Sequence, residues 1–122
     1  MTLRECYETL GGDYDEVFAR LRKEELVWKF AVMFLSDPNF DTLCMALASG
    51  DREEAFRSVH TLKGVSQNLG FSRLYESSKN LTEHLRGRTE WSGFDEQLFD
   101  CVKKDYCRTV NAIRAMQAKR EL

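Results

Sequence analysis

The sequence predicts an all-α protein: an antiparallel up-and-down four-helix bundle with additional short helices at its N-terminal end. Three observations carry that reading. One proline and seven glycines in 122 residues are too few breakers for a loop-rich or all-β chain. Apolar residues recur at threes and fours along most of the length, and no segment alternates with period two for long enough to make a strand. Hydrophobic residues make up 43% and charged residues 31%, enough for a core and a solvated surface, which excludes a disordered or collagen-like chain. At roughly 150 residues per domain the length suggests a single domain over 1–122.

Each element follows from its caps. Thr2 and Glu5 form a capping-box pattern that opens a short helix ending at Gly11-Gly12. Asp13 and Glu16 repeat the signal for a second short helix, with Val17, Phe18 and Leu21 on its apolar side. Residues 24–35 are apolar on nearly all sides (Leu26, Val27, Trp28, Phe30, Val32, Met33, Phe34), as in a helix buried between neighbours. Asp37-Pro38 reads as an N-cap followed by proline at the first helical position. Phe40, Leu43, Cys44 and Leu47 then share one face until Gly50. One kinked helix and two separate pieces both fit residues 24–48. Asp51 and Glu54 cap the next helix, whose stripe is Ala55, Val59, Leu62, Ser66 and Leu69, with Gly70 as its stop. Ser72 is the expected cap of another, carrying Phe71, Leu74, Ser78, Leu81 and Leu85 up to Gly87. Ser92 and Asp95 open the last and longest, with Leu98, Val102, Tyr106, Val110 and Ile113 inward and Lys119-Arg120 at the negative end of its dipole.

Charge and cysteine usage exclude several classes of function. Eighteen basic and 20 acidic residues leave a net charge of −2, without the basic stripe of a nucleic-acid binder. The longest apolar run, Phe30 to Leu35, falls far short of the roughly 20 residues that span a bilayer. The N-terminus lacks a signal-peptide pattern, so a cytoplasmic, monomeric protein is expected. Cys6, Cys44, Cys101 and Cys107 are scattered without a Cys-x-x-Cys spacing and read as buried, reduced thiols.

The helix over 51–69 has an odd composition. Gly64 sits in its interior, where glycine costs roughly 1 kcal/mol relative to alanine. His60 lies four residues before it, Lys63 between them, and Gln67 a turn further on. At about 100° per residue, His60 points away from a core stripe centred between Val59 and Leu62. Lys63, Gly64 and Gln67 are its i+3, i+4 and i+7 neighbours on the same flank. With no side chain at Gly64, the space beside the imidazole is open. A lone helical histidine is usually an ordinary surface residue; an exposed histidine, an adjacent cation and an unfavourable glycine on one face point instead to a site. His84, in the last turn of its helix, suits the C-terminal carbonyls.

His60-Thr61-Leu62-Lys63-Gly64, continuing through Val65-Ser66-Gln67-Asn68-Leu69 to Gly70, resembles the signature of histidine-containing phosphotransfer (HPt) domains of bacterial multistep phosphorelays. The preceding Gly50-Asp51-x-Glu53-Glu54-Ala55 turn agrees. The resemblance implies that His60 is phosphorylated, that Lys63 and Gln67 lie close to the phosphoryl group, and that Gly64 gives a partner's active site room to dock. Many members place a glutamine on the following helix; counting from His60, that position is Thr82, whose hydroxyl would fill part of the role while Lys79 adds positive charge. The implied partners are response-regulator receiver domains, that of a hybrid histidine kinase among them.

The chemistry is consistent with the resemblance. An imidazole that titrates near neutrality is nucleophilic at cellular pH and forms a covalent intermediate. Phosphoryl transfer depends on positioning and charge neutralisation, to which Lys63 can supply a point charge and Gln67 a hydrogen bond. No Gly-x-x-x-x-Gly-Lys loop, Gly-x-Gly-x-x-Gly or acidic magnesium cluster occurs, so the expectation is a phosphate carrier and not a kinase, with no cofactor of its own and magnesium on the partner. Phe56, Arg57, Ser58 and Thr61 flank His60 and, with helices near 13–35, sketch a docking surface; Phe56 fits the bundle core equally well. A bundle metal site would want Glu three residues before each histidine, which neither has. A chemotaxis-kinase phosphotransfer module shares the motif, but such modules normally precede dimerisation and ATP-binding domains, which this sequence does not contain. The main alternative is a non-catalytic helical adaptor with His60 inert.

Overall fold

A computed structural model describes residues 1–87, 90 and 92–120. Seven helices follow in order: α1 (Leu3–Leu10), α2 (Tyr14–Leu21), α3 (Glu24–Phe34), α4 (Asn39–Ser49), α5 (Arg52–Asn68), α6 (Ser72–Leu85) and α7 (Gly93–Arg120). Among the described residues there is no strand. Helices α4 to α7 pack each on the next, α1 lies against α7, and α2 against α3. One apolar cluster draws on all seven, including Leu10, Val17, Val27, Leu43, Leu62, Leu74, Leu81 and Ile113. The protein is therefore an all-α helical bundle.

Most of the caps are where the sequence puts them. The Thr2–Glu5 capping box is complete in both directions, and the Asp13 and Asp51 carboxylates accept the Glu16 and Glu54 N–H groups at 3.1 and 3.0 Å. Gly11, Gly50, Gly70 and Gly87 all have positive φ at helix ends. Residues 24–48 are two helices separated at 35–38. There Pro38 itself takes the cap position of α4 and Asp37 accepts the Asn39 N–H at 2.9 Å, one residue later than expected. Phe71, not Ser72, is the N-cap of α6; no side-chain bond caps that end, and the buried Phe71 ring holds the turn by packing against Tyr7 and Phe34.

Three expectations about burial are corrected. Helix α3 is not enclosed: it buries Val27, Ala31 and Phe34 but leaves Met33 56% exposed, because only one side of it meets the bundle. Phe18 is exposed, stacked on Tyr14 at the surface. Of the four free thiols, Cys6 is buried and Cys44 half-buried, whereas Cys101 and Cys107 face solvent on α7. Burial pushes the Cys6 thiol up to about 11.

The α1–α2 and α5–α6 turns are stitched together. The Asp13 N–H donates to the Gly70 carbonyl at 2.8 Å, the Arg73 N–H to Gly11 at 3.0 Å, and the Tyr7 hydroxyl to Leu69 at 2.6 Å. A Cβ on Gly12 would come within 2.5 Å of the Gly70 carbonyl oxygen, and one on Gly70 within 2.8 Å of Asp13. Both positions need glycine because the two backbones approach so closely.

Candidate functional site

The caps and stripe of α5 determine which of its residues reach solvent. Asp51, Glu53 and Glu54 place negative charge at its positive end. Ala55, Ser58, Val59, Leu62 and Ser66 are turned into the core, which leaves His60 and Gln67 exposed on the outer face, with Lys63 and Gly64 half-buried beside them. At Gly64 an added Cβ would meet nothing within 4 Å. The flank of His60 is open at this point, as the spacing predicted.

The α6 side carries charge. Lys79 is exposed, and the Arg86 guanidinium grips Glu83 through two bonds of 3.3 Å. The Glu83 carboxyl is held below the usual carboxylate range, chiefly by Arg86 and further by Lys63 and Lys79. Thr82 does not join them. It is fully buried and donates its hydroxyl proton to the Ser78 carbonyl at 2.7 Å, so a buried intrahelical bond replaces the contact expected of it.

Phe56 belongs to both environments the sequence left open. It packs against the core and its ring stacks on the His60 imidazole, 5.7 Å between centroids and 28° between planes. Arg57 and Thr61 are exposed, but Ser58 is buried and drops out of the docking surface. On the flank of α5 away from Lys63, a cleft of about 570 Å³ is lined by Leu21, Phe30, Met33, Phe34, Val65 and Leu69. A larger groove between α4 and α7 shares no residue with the His60 face.

Two contacts had no signal in the sequence. Arg20 of α2 donates to the carbonyls of Gln67 and Asn68 at 2.9 and 2.7 Å, capping the end of the helix that carries His60. His84 does not face its own helix end. Its Nε2 lies 2.7 Å from the buried Asp95 carboxylate, which also faces Arg52 at 3.6 Å, tying α5, α6 and α7 together.

The fold and the face define a helical bundle that presents one histidine from the middle of a surface helix. Residues 35–118 match the Hpt domain family, and the chain belongs to that family. Hpt domains carry out histidine phosphotransfer in phosphorelays, interact there with receiver domains and lack kinase activity. No curated protein and no solved structure matches the chain. Among the described residues no helix is long and apolar enough to cross a membrane.

Proposed function

We propose that this chain is a cytoplasmic phosphorelay carrier that takes a phosphoryl group on His60 from a receiver-domain aspartate and passes it to, or back from, another receiver domain. The observation that carries the reading is the open space over Gly64 beside an exposed His60, inside the span that matches the family. A lone pair on one imidazole nitrogen forms the N–P bond while the P–O bond to the aspartate breaks, its electrons leaving with the carboxylate. The other ring nitrogen keeps its proton. Lys63 neutralises charge on the phosphoryl oxygens, Gln67 donates a hydrogen bond from its amide, and Lys79 adds positive potential from α6. Magnesium comes with the partner. The exposed Phe18 and Met33 and the cleft between α3 and α5 supply an apolar margin to the docking surface.

Incubation with a panel of phosphorylated receiver domains tests the reading. The wild-type chain is expected to acquire an acid-labile, base-stable phosphate from at least one of them, and His60→Gln none. A mutant that still takes label places the site elsewhere. A wild-type chain that binds a receiver domain without accepting label is an adaptor.

A further inference from the structure

Phe56, Arg86 and Glu83 join His60 in an unbroken row of contacts crossing from α5 to α6. The Phe56 ring lies nearly parallel to the imidazole. The guanidinium carbon of Arg86 is 5.2 Å from the centre of that same phenyl ring. Arg86 is itself held from behind by the Glu83 carboxylate, one oxygen to Nε and the other to Nη2. Apart from His60 itself, no part of this row lies within the His60–Gly70 signature.

We propose that Arg86 is a positioning residue for His60, acting through Phe56. The inference rests on His60 being the phosphoryl acceptor. An exposed imidazole has several rotamer wells, and only those that aim a nitrogen at the incoming phosphorus are productive. Helical side chains lean toward the N-terminus, so Phe56, one turn earlier, is the surface on which His60 leans. The core fixes one side of Phe56, and Arg86 limits the swing of its ring. Charge also matters. As the N–P bond forms and the aspartyl carboxylate departs with the P–O electrons, the imidazole becomes positive, and a phenyl face stabilises a neighbouring cation. Glu83 neutralises Arg86, so the guanidinium holds the ring without opposing the charge that develops on His60.

The test uses potassium phosphoramidate as a partner-independent phosphoryl donor to the purified full chain. Arg86→Ala and Phe56→Leu should each lower the maximal rate of His60 labelling about 3- to 10-fold, with the half-saturating donor concentration unchanged. The double variant should be no slower than Phe56→Leu alone, because the two residues act in series. Arg86→Lys and Phe56→Tyr should recover most of the rate. His60 ring-proton resonances should lose the phenyl ring-current shift in Arg86→Ala and Phe56→Leu. Arg86 is half exposed, so its variants fold, and an unchanged unfolding midpoint separates positioning from stability. Wild-type rates in both single variants, or losses that multiply in the double variant, overturn the proposal while leaving His60 as the acceptor. A wild-type chain that takes no label on His60 from phosphoramidate or from any phosphorylated receiver domain overturns the functional reading and this proposal together.

Discussion

At Gly64 a methyl group would meet no atom within 4 Å, and the residue lies inside a regular helix without positive φ. Alanine there should stabilise the fold by about 1 kcal/mol, the difference in helix propensity, and raise the unfolding midpoint by a few degrees. Arginine at the same position should leave helicity by circular dichroism unchanged yet block transfer from a phosphorylated receiver domain, because its side chain fills the space beside His60. Transfer that survives Gly64→Arg would mean that the glycine does not serve docking. The exposure of His60 and the openness at Gly64 were legible in the sequence because both follow from angular position on a single helix. Thr82 and His84 were not. Whether a residue near the end of α6 meets solvent, its own carbonyls or a carboxylate depends on the helices packed against it, α7 in the case of His84, which sequence periodicity does not place there.

The helix that carries His60 is anchored by different means at its two ends. Asp51 caps the N-terminus from within the local sequence, as its spacing to Glu54 indicated. The C-terminal carbonyls of Gln67 and Asn68 are instead satisfied by Arg20 from α2, a residue 47 and 48 positions away. Arg20→Ala should cost about 1 kcal/mol and speed amide exchange in the last turn of α5, with its first turn unaffected; uniform acceleration along α5 would contradict the assignment. Helix α3 shows the limit of reading elements singly. A nearly all-apolar segment implies neighbours on every side, but α3 has the bundle on one side only, and Phe30 and Met33 line an open cleft with Val65 and Leu69.

Across the molecule, polar contacts hold the apolar bundle in register at two places. At one end, Tyr7, Gly11 and Asp13 bind the α5–α6 turn, so α1 and α2, which precede the span matching the family, brace the end of the site helix. Elsewhere, Arg52, His84 and Asp95 meet between α5, α6 and α7 with Asp95 only 4% exposed. Removing one member of a buried charged group leaves the others uncompensated. Asp95→Ala should therefore lower stability by about 3 kcal/mol in urea titration, well beyond the roughly 1 kcal/mol of a lost N-cap; a loss no larger than a cap's would show that the cluster adds nothing. The sequence by itself determined the helical class, nearly every helix end and the face on which His60 lies, because capping chemistry and 3.6-residue periodicity act within one turn of chain. Only the tertiary structure decided that α3 is half bare, that His84 pairs with Asp95, that Thr82 is sealed in the core and that Arg86 stands over Phe56. Each of those depends on which helix faces which, and that is set by the summed packing of distant segments.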